Sequence, residues 1–239
     1  MNKYKIIIFD IGKTLFDKNT SKKTSELNLD IIKKLRSKGI KVGVCTMRTI
    51  KHCKEVVPTD LDFYISLNGS FILCDNKVIF DNPMELIANR SSFITYDIDK
   101  SFYSDEKARI EGIKNGFLID DKGIANKIYS QVFFNIEKNN LSDFEKYTYE
   151  YWPSTKALAL QHKESSKTIG IKKVLDHYNF KEPILYFGDG PNDLEIFRTY
   201  KDCICMGNCY FELEKYALFK TKEVDDNGIE FALTKLGIL

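Results

Sequence analysis

The sequence predicts a parallel α/β core interrupted by a smaller α+β insertion. Three observations carry this. The apolar run Lys5–Phe9, the helical spacing over Thr24–Lys38 and the apolar run Ile40–Cys45 give strand, helix, strand, the order of a right-handed parallel crossover. From about Pro83 to Leu160 that rhythm yields to short alternating segments. From Thr168 onward it returns.

Lys5 to Phe9 reads as a short buried strand, and Asp10 to Thr20 as a loop. Leu27, Ile31, Ile32 and Leu35 recur at helical spacing, and Gly39 ends that helix. Ile40–Cys45 and Asp62–Leu67 read as strands, the latter followed by a turn at Asn68-Gly69. Phe71–Leu73 and Val78–Phe80 flank a turn at Asp75–Lys77 and read as a hairpin. In the insertion, Gln131–Ile136 and Ala157–Leu160 read as strands and Ser104–Asn115 as a polar helix. Then come a helix over Thr168–Tyr178, a strand over Ile184–Phe187, a helix over Leu194–Tyr200, a strand over Cys203–Met206 and a last helix over Ile229–Leu236. The expected division is 1–82 with 161–239 as core and 83–160 as insertion.

The 239 residues are enough to bury a core without staples, and 43% hydrophobic with 29% charged argues against disorder. Net charge is +2. The insertion holds 10 basic and 12 acidic residues and the remainder 26 and 22, so neither part is polarised enough to suggest nucleic acid as a partner. No apolar run approaches membrane-spanning length, and Ile6–Phe9, closed by Asp10, is too short for an export signal. A cytoplasmic location with reduced thiols is therefore expected for the six cysteines. Cys203, Cys205 and Cys209 lack the paired spacing of a zinc site, and the first two read as part of a buried strand.

In an open parallel sheet, ligands bind beyond the carboxyl ends of the strands. Three strands end there in polar residues: Asp10, Thr46 and Gly188-Asp189. Two carboxylates and a hydroxyl make an oxygen-rich mouth of the kind that suits Mg²⁺ with a substrate phosphate. Lys167, at the start of the helix after the insertion, is expected to reach over this mouth and neutralise a phosphoryl group.

The chain resembles the haloacid dehalogenase superfamily, and within it the Cof-type phosphatases with a C2-type cap. Ile6-Ile7-Ile8-Phe9-Asp10-Ile11-Gly12-Lys13-Thr14-Leu15 matches the first family motif, and Val42-Gly43-Val44-Cys45-Thr46-Met47-Arg48 the second. Ser166-Lys167 matches the third, and Gly188-Asp189-Gly190-Pro191-Asn192-Asp193 the fourth. Asn68-Gly69 and Met206-Gly207-Asn208 match two lesser landmarks. The resemblance implies a Rossmann-like core and hydrolysis of a small phosphorylated metabolite. It implies Asp10 as nucleophile, Mg²⁺ held by Asp10, the Gly12 carbonyl and Asp189, and phosphoryl oxygens bound by Thr46, Lys167 and Asn192. Asp193 would stand behind them and orient the set. Oligomeric state is left open.

One departure bears on the chemistry. The family reads Asp-x-Asp-Gly-Thr where this chain has Asp10-Ile11-Gly12-Lys13-Thr14. The general acid/base is replaced by Gly12, a loss that typically costs about 10² to 10⁴ in rate. A phospho-ligand binding protein that keeps the pocket, and a phosphoryl transferase of the same fold, stand as alternatives. Gly12-Lys13-Thr14 is not a nucleotide P-loop, because Ile7 stands where that motif needs glycine. Lys13 is expected in solvent. His52, His162 and His177 read as surface or packing residues, with His162 weighed and set aside as a substitute proton carrier. Tyr147, Tyr149, Tyr151 and Trp152 read as core and edge residues first, and substrate-stacking residues second.

Overall fold

Short apolar runs bounded by charge or glycine make the strands, because four or five residues are too few for a stable helix. The computed structural model describes residues 3–17, 19–87, 92–117, 119–181 and 183–239. Lys18 of the expected first loop, and 88–91 and Leu118 of the insertion, lie outside the described residues. In chain order come β1 (Ile6–Phe9), α1 (Glu26–Ser37), β2 (Lys41–Cys45), α2 (Ile50–Val56), β3 (Phe63–Ser66), β4 (Phe71–Cys74) and β5 (Lys77–Asp81). Next are β6 (Phe93–Tyr96), β7 (Ser101–Tyr103), α3 (Glu106–Lys114), β8 (Asp121–Lys122), β9 (Ser130–Phe133), β10 (Thr148–Trp152) and β11 (Ala157–Gln161). The chain ends with α4 (Lys167–His177), β12 (Leu185–Gly188), α5 (Leu194–Thr199), β13 (Cys203–Cys205), β14 (Phe219–Lys220) and α6 (Gly228–Lys235).

The strands form two sheets. One has the order β14-β13-β12-β1-β2-β3-β4-β5, and the other β10-β11-β9-β6-β7-β8. In the first, β14 through β3 are parallel and the β4–β5 hairpin adds an antiparallel edge. Side chains alternate across it, as the pleat requires. Ile7, Phe9, Val42 and Val44 pack with Ile32 and Leu35 of α1 and with Leu233 of α6. Ile6 and Ile8 pack with Ile171 and Val174 of α4 and with Ile196 of α5. Both faces are covered, which is why these strands read as continuous apolar runs. The second sheet is antiparallel apart from the short β7–β8 pair.

Some elements lay below the resolution of the pattern. α2 is only seven residues long and buries just Ile50, Cys53 and Val56. The strand expected over Gln131–Ile136 ends at Phe133, because Asn135 adopts φ 58° and turns the chain. The two strands that precede the insertion helix, β6 and β7, carry too little alternation over four and three residues to be read.

Candidate active site

Strand order alone brings the first carboxylates together. β1 lies between β12 and β2, with Phe9 opposite Phe187 on one side and Val44 on the other. The Asp10 amide donates to the Phe187 carbonyl at 2.8 Å, and the Thr46 amide to the Ile65 carbonyl at 2.8 Å, so both side chains leave the sheet at its carboxyl edge.

Lys167 arrives from the third dimension. Ser166 caps α4, its hydroxyl accepting the Ile169 amide. Gly69 sits against that cap at φ +88°, where a Cβ would lie 2.2 Å from the Ser166 carbonyl oxygen. A side chain at residue 69 would push the helix start off the sheet, so glycine there fixes where Lys167 enters. The Lys167 ammonium then donates to Asp10 Oδ1 at 2.9 Å and to Asp193 Oδ1 at 2.7 Å. Asp193 is fully buried and satisfied on both oxygens. Its Oδ1 also accepts from the Tyr186 hydroxyl at 2.7 Å, and its Oδ2 from the amides of Asp189 and Gly190 at 3.0 Å each. Thr14 donates its hydroxyl to Asp189 Oδ1 at 3.2 Å.

These contacts set the charges. Burial pushes the Asp10 carboxyl upward, opposed by Lys167 and reinforced by Asp193. Burial and repulsion from Asp10 and Asp193 hold the Asp189 carboxyl well above the usual carboxylate range. Burial opposes the charge on Lys167, but Asp10 and Asp193 outweigh it and keep the ammonium protonated. Oxygens of Asp10, Asp189 and Asp193 lie within 4.8 Å of one another. Asp193 has no oxygen to spare, whereas Asp10 and Asp189 each keep one without a donor among the described residues. That donor set, two hard oxygens in a pair strained by like charge, fits a divalent cation such as Mg²⁺.

Asp10, Gly12, Thr46, Asp189 and Asn192 line one pocket of about 370 Å³, beneath Phe117, Glu150 and Trp152 from the other sheet's side. Lys167 is outside that lining and instead lines an adjoining cavity with Asn68 and Glu150. Lys13 is exposed at the mouth, its backbone left-handed at φ 55° where the resembling family has glycine. His162 is not among the pocket's residues; its Nδ1 accepts from Asn82 Nδ2 at 2.9 Å.

Four residues of the site were not singled out from the sequence. Arg48, two residues after Thr46, lies over the Phe16 ring and binds the His52 ring nitrogen. Burial and Arg48 lower the His52 pKa to about 4, so the ring is neutral near pH 7. Tyr186 braces Asp193 from inside a strand that reads as plain core. Thr14 lies within the first motif, in a stretch that reads only as loop, and it is the residue that donates to Asp189. Glu150 sits in the aromatic strand β10, and its one signal was an acid among aromatic neighbours. Trp152 of the same strand, read as core first, is a pocket wall.

The family model for haloacid dehalogenase-like hydrolases matches residues 7–233. A protein of Bacillus subtilis named "Putative phosphatase YkrA" is 30% identical over 256 residues, covering 98% of this chain and 98% of its own. Another from that organism, named 5-amino-6-(5-phospho-D-ribitylamino)uracil phosphatase YcsE, is 23% identical, covering 96% and 94%. Among solved structures, BT1666 from Bacteroides thetaiotaomicron, described as a phosphatase of the HAD superfamily, superposes with TM-score 0.85 at 21% identity, covering 99% of this chain and 96% of that one.

Proposed function

The chain belongs to the haloacid dehalogenase-like hydrolase family, and from that premise we propose that it is a Mg²⁺-dependent phosphatase of small phosphomonoesters working through an aspartyl-phosphate on Asp10. Relatives named as phosphatases support the substrate class. The observation that carries the mechanism is the Lys167 ammonium held between Asp10 and Asp193.

Lys167 occupies one oxygen of Asp10 and leaves the other for attack. Asp193 fixes Lys167 from behind and, through two backbone amides, also fixes the turn that carries Asp189. Thr46 Oγ1 accepts the Arg48 amide at 3.3 Å, so its own proton is directed to another acceptor, here a phosphoryl oxygen. Asn192 at the rim is a further donor to the same group. Asp10, the Gly12 carbonyl and Asp189 would hold Mg²⁺, which when bound offsets the negative charge of the carboxylates and of the substrate phosphate. Asp10 attacks phosphorus and the alcohol departs, and water then releases phosphate from Asp10.

Release of phosphate from a panel of phosphomonoesters with Mg²⁺, compared between the wild type and Asp10→Asn, tests this reading. Multiple turnover that vanishes in Asp10→Asn is expected. Equal rates remove Asp10 as nucleophile. Tight binding of a phosphomonoester without turnover makes the chain a binding protein, the reading that Gly12 favours.

A further inference from the structure

We propose that Glu150, carried over the pocket by β10, protonates the leaving alcohol and then activates water, the work that position 12 has no side chain to do. This rests on the phosphatase reading above.

The placement follows from strand register. On β10, Thr148, Glu150 and Trp152 share a face, and Glu150 and Trp152 both line the pocket that holds Asp10 and Asp189. Asp10 and Glu150 line this pocket from different sheets, and an in-line attack by Asp10 puts the leaving oxygen on the far side of phosphorus from it, where the insertion's strand supplies Glu150. Glu150 is tied to the core sheet's edge by one bond, from Asn68 Nδ2 to Oε2 at 3.4 Å. Its Oε1 is sealed from solvent and has no hydrogen-bond partner among the described residues. A buried carboxylate with an unpaired oxygen is costly, while a carboxylic acid aimed at an incoming alcohol oxygen is not.

The charged groups facing Glu150 are Lys167, Asp193 and Asp10, with Arg48, Asp189, Asp17 and Lys13 elsewhere in the pocket lining and Glu195 in the adjoining cavity. Burial outweighs the pull of Lys167, Asp193 and Asp10 add repulsion, and the carboxyl is pushed up to about 8. It is protonated near neutral pH and close to balance there, as an acid that must later act as a base should be.

The two steps balance. Asp10 forms a bond to phosphorus as the bond from phosphorus to the ester oxygen breaks, and that oxygen takes the Glu150 proton, leaving alcohol, aspartyl-phosphate and Glu150 carboxylate. Glu150 then takes a proton from water, the hydroxide attacks phosphorus, the bond to Asp10 breaks, and phosphate leaves with Glu150 protonated again.

The test is a series of aryl phosphates of graded leaving-group acidity, extended by an alkyl phosphate, on the wild type, Glu150→Gln and Glu150→Asp with Mg²⁺. In kcat/KM, which reports formation of the aspartyl-phosphate, Glu150→Gln should lose about 10² or more on the alkyl ester and less than about threefold on 4-nitrophenyl phosphate, whose leaving group needs no proton; kcat should fall on both, because the later attack by water has lost its base. Glu150→Asp should keep part of the alkyl-ester rate. In the wild type, kcat/KM for the alkyl ester should fall as pH rises through about 8, and that limb should be missing in Glu150→Gln. Equal losses in kcat/KM on all esters, or a wild-type profile flat through that region, would overturn the role. Turnover that depends on Asp10 but is untouched by Glu150→Gln sinks this inference alone. Absence of Asp10-dependent turnover in the wild type sinks the phosphatase reading and this inference with it.

Discussion

Arg48 Nη2 stands 3.5 Å from the point where a Cβ on Gly12 would lie. That is ordinary contact distance, and Gly12 is not in the left-handed region, so the pocket accepts a side chain at this position.

Gly12→Asp is therefore expected to fold with stability within about 0.5 kcal/mol of wild type. Its carboxylate would pair with the Arg48 guanidinium, which holds it ionised and leaves it without a proton to give the leaving alcohol. With Glu150 in place, alkyl-ester turnover should rise by less than about tenfold; in Glu150→Gln, the same change should recover about tenfold or more. Phosphate-release rates of the four chains check this. A gain of several hundredfold in the otherwise wild-type chain would mean that no other residue supplies the proton.

Lys167→Met should be the most damaging single change in the site. It strands Asp10 and Asp193 in a buried place without their shared cation, at a cost of about 3–5 kcal/mol. Turnover should fall below detection. Adding Asp193→Asn should return part of the stability and none of the activity, because the pair is coupled in folding while Asp10 still lacks its partner. Urea denaturation of the single and double variants measures both terms.

Thr14→Val removes the hydroxyl that donates to Asp189 Oδ1. Residues that orient a metal ligand typically carry about 10- to 100-fold in metal affinity. Calorimetric titration with Mg²⁺ should show a loss of that size in Thr14→Val, and no measurable binding in Asp189→Asn. Unchanged binding in Asp189→Asn would remove the cation from this site.

His52 gives a pH dependence of folding. Its pKa is about 4 in the folded chain against 6.5 for a free ring, depressed first by burial and then by Arg48. Above about pH 6.5 the ring is neutral in both states and folding is unaffected. As pH falls from there towards about 4, the unfolded chain takes up the proton first, so stability drops across that window. Denaturation midpoints should fall less steeply over this range in His52→Gln than in wild type. Identical slopes would mean that His52 titrates normally.

The four motif stretches were legible because their chemistry is local. Asp10 follows an apolar strand, Asp189 sits in a glycine turn, and Lys167 follows a capping serine. Arg48 was also within reach, since Thr46 had been singled out two residues earlier in the same loop. Glu150 was not, because a strand of aromatic residues gives equal reason to face either way, and only pairing with β11 fixes which face meets the pocket. Tyr186 was hidden for a related reason: inside a strand covered on both sides, a tyrosine looks like any other core residue until its hydroxyl is seen to meet Asp193.

By itself the sequence determined the alternation of strands and helices, the interruption between them, and the residue types waiting at the strand ends, since these depend on spacing along the chain. The tertiary structure decided what those residues meet. Bringing β1 between β2 and β12 set Asp10 beside Asp189, and packing α4 against Gly69 put Lys167 between two acids. Folding the second sheet over the first set Glu150 above Asp10, 140 positions earlier in the chain. Periodicity is a property of neighbours in sequence, whereas desolvation and charge pairing depend on neighbours in space, and those are set only when the sheets have formed and closed on one another.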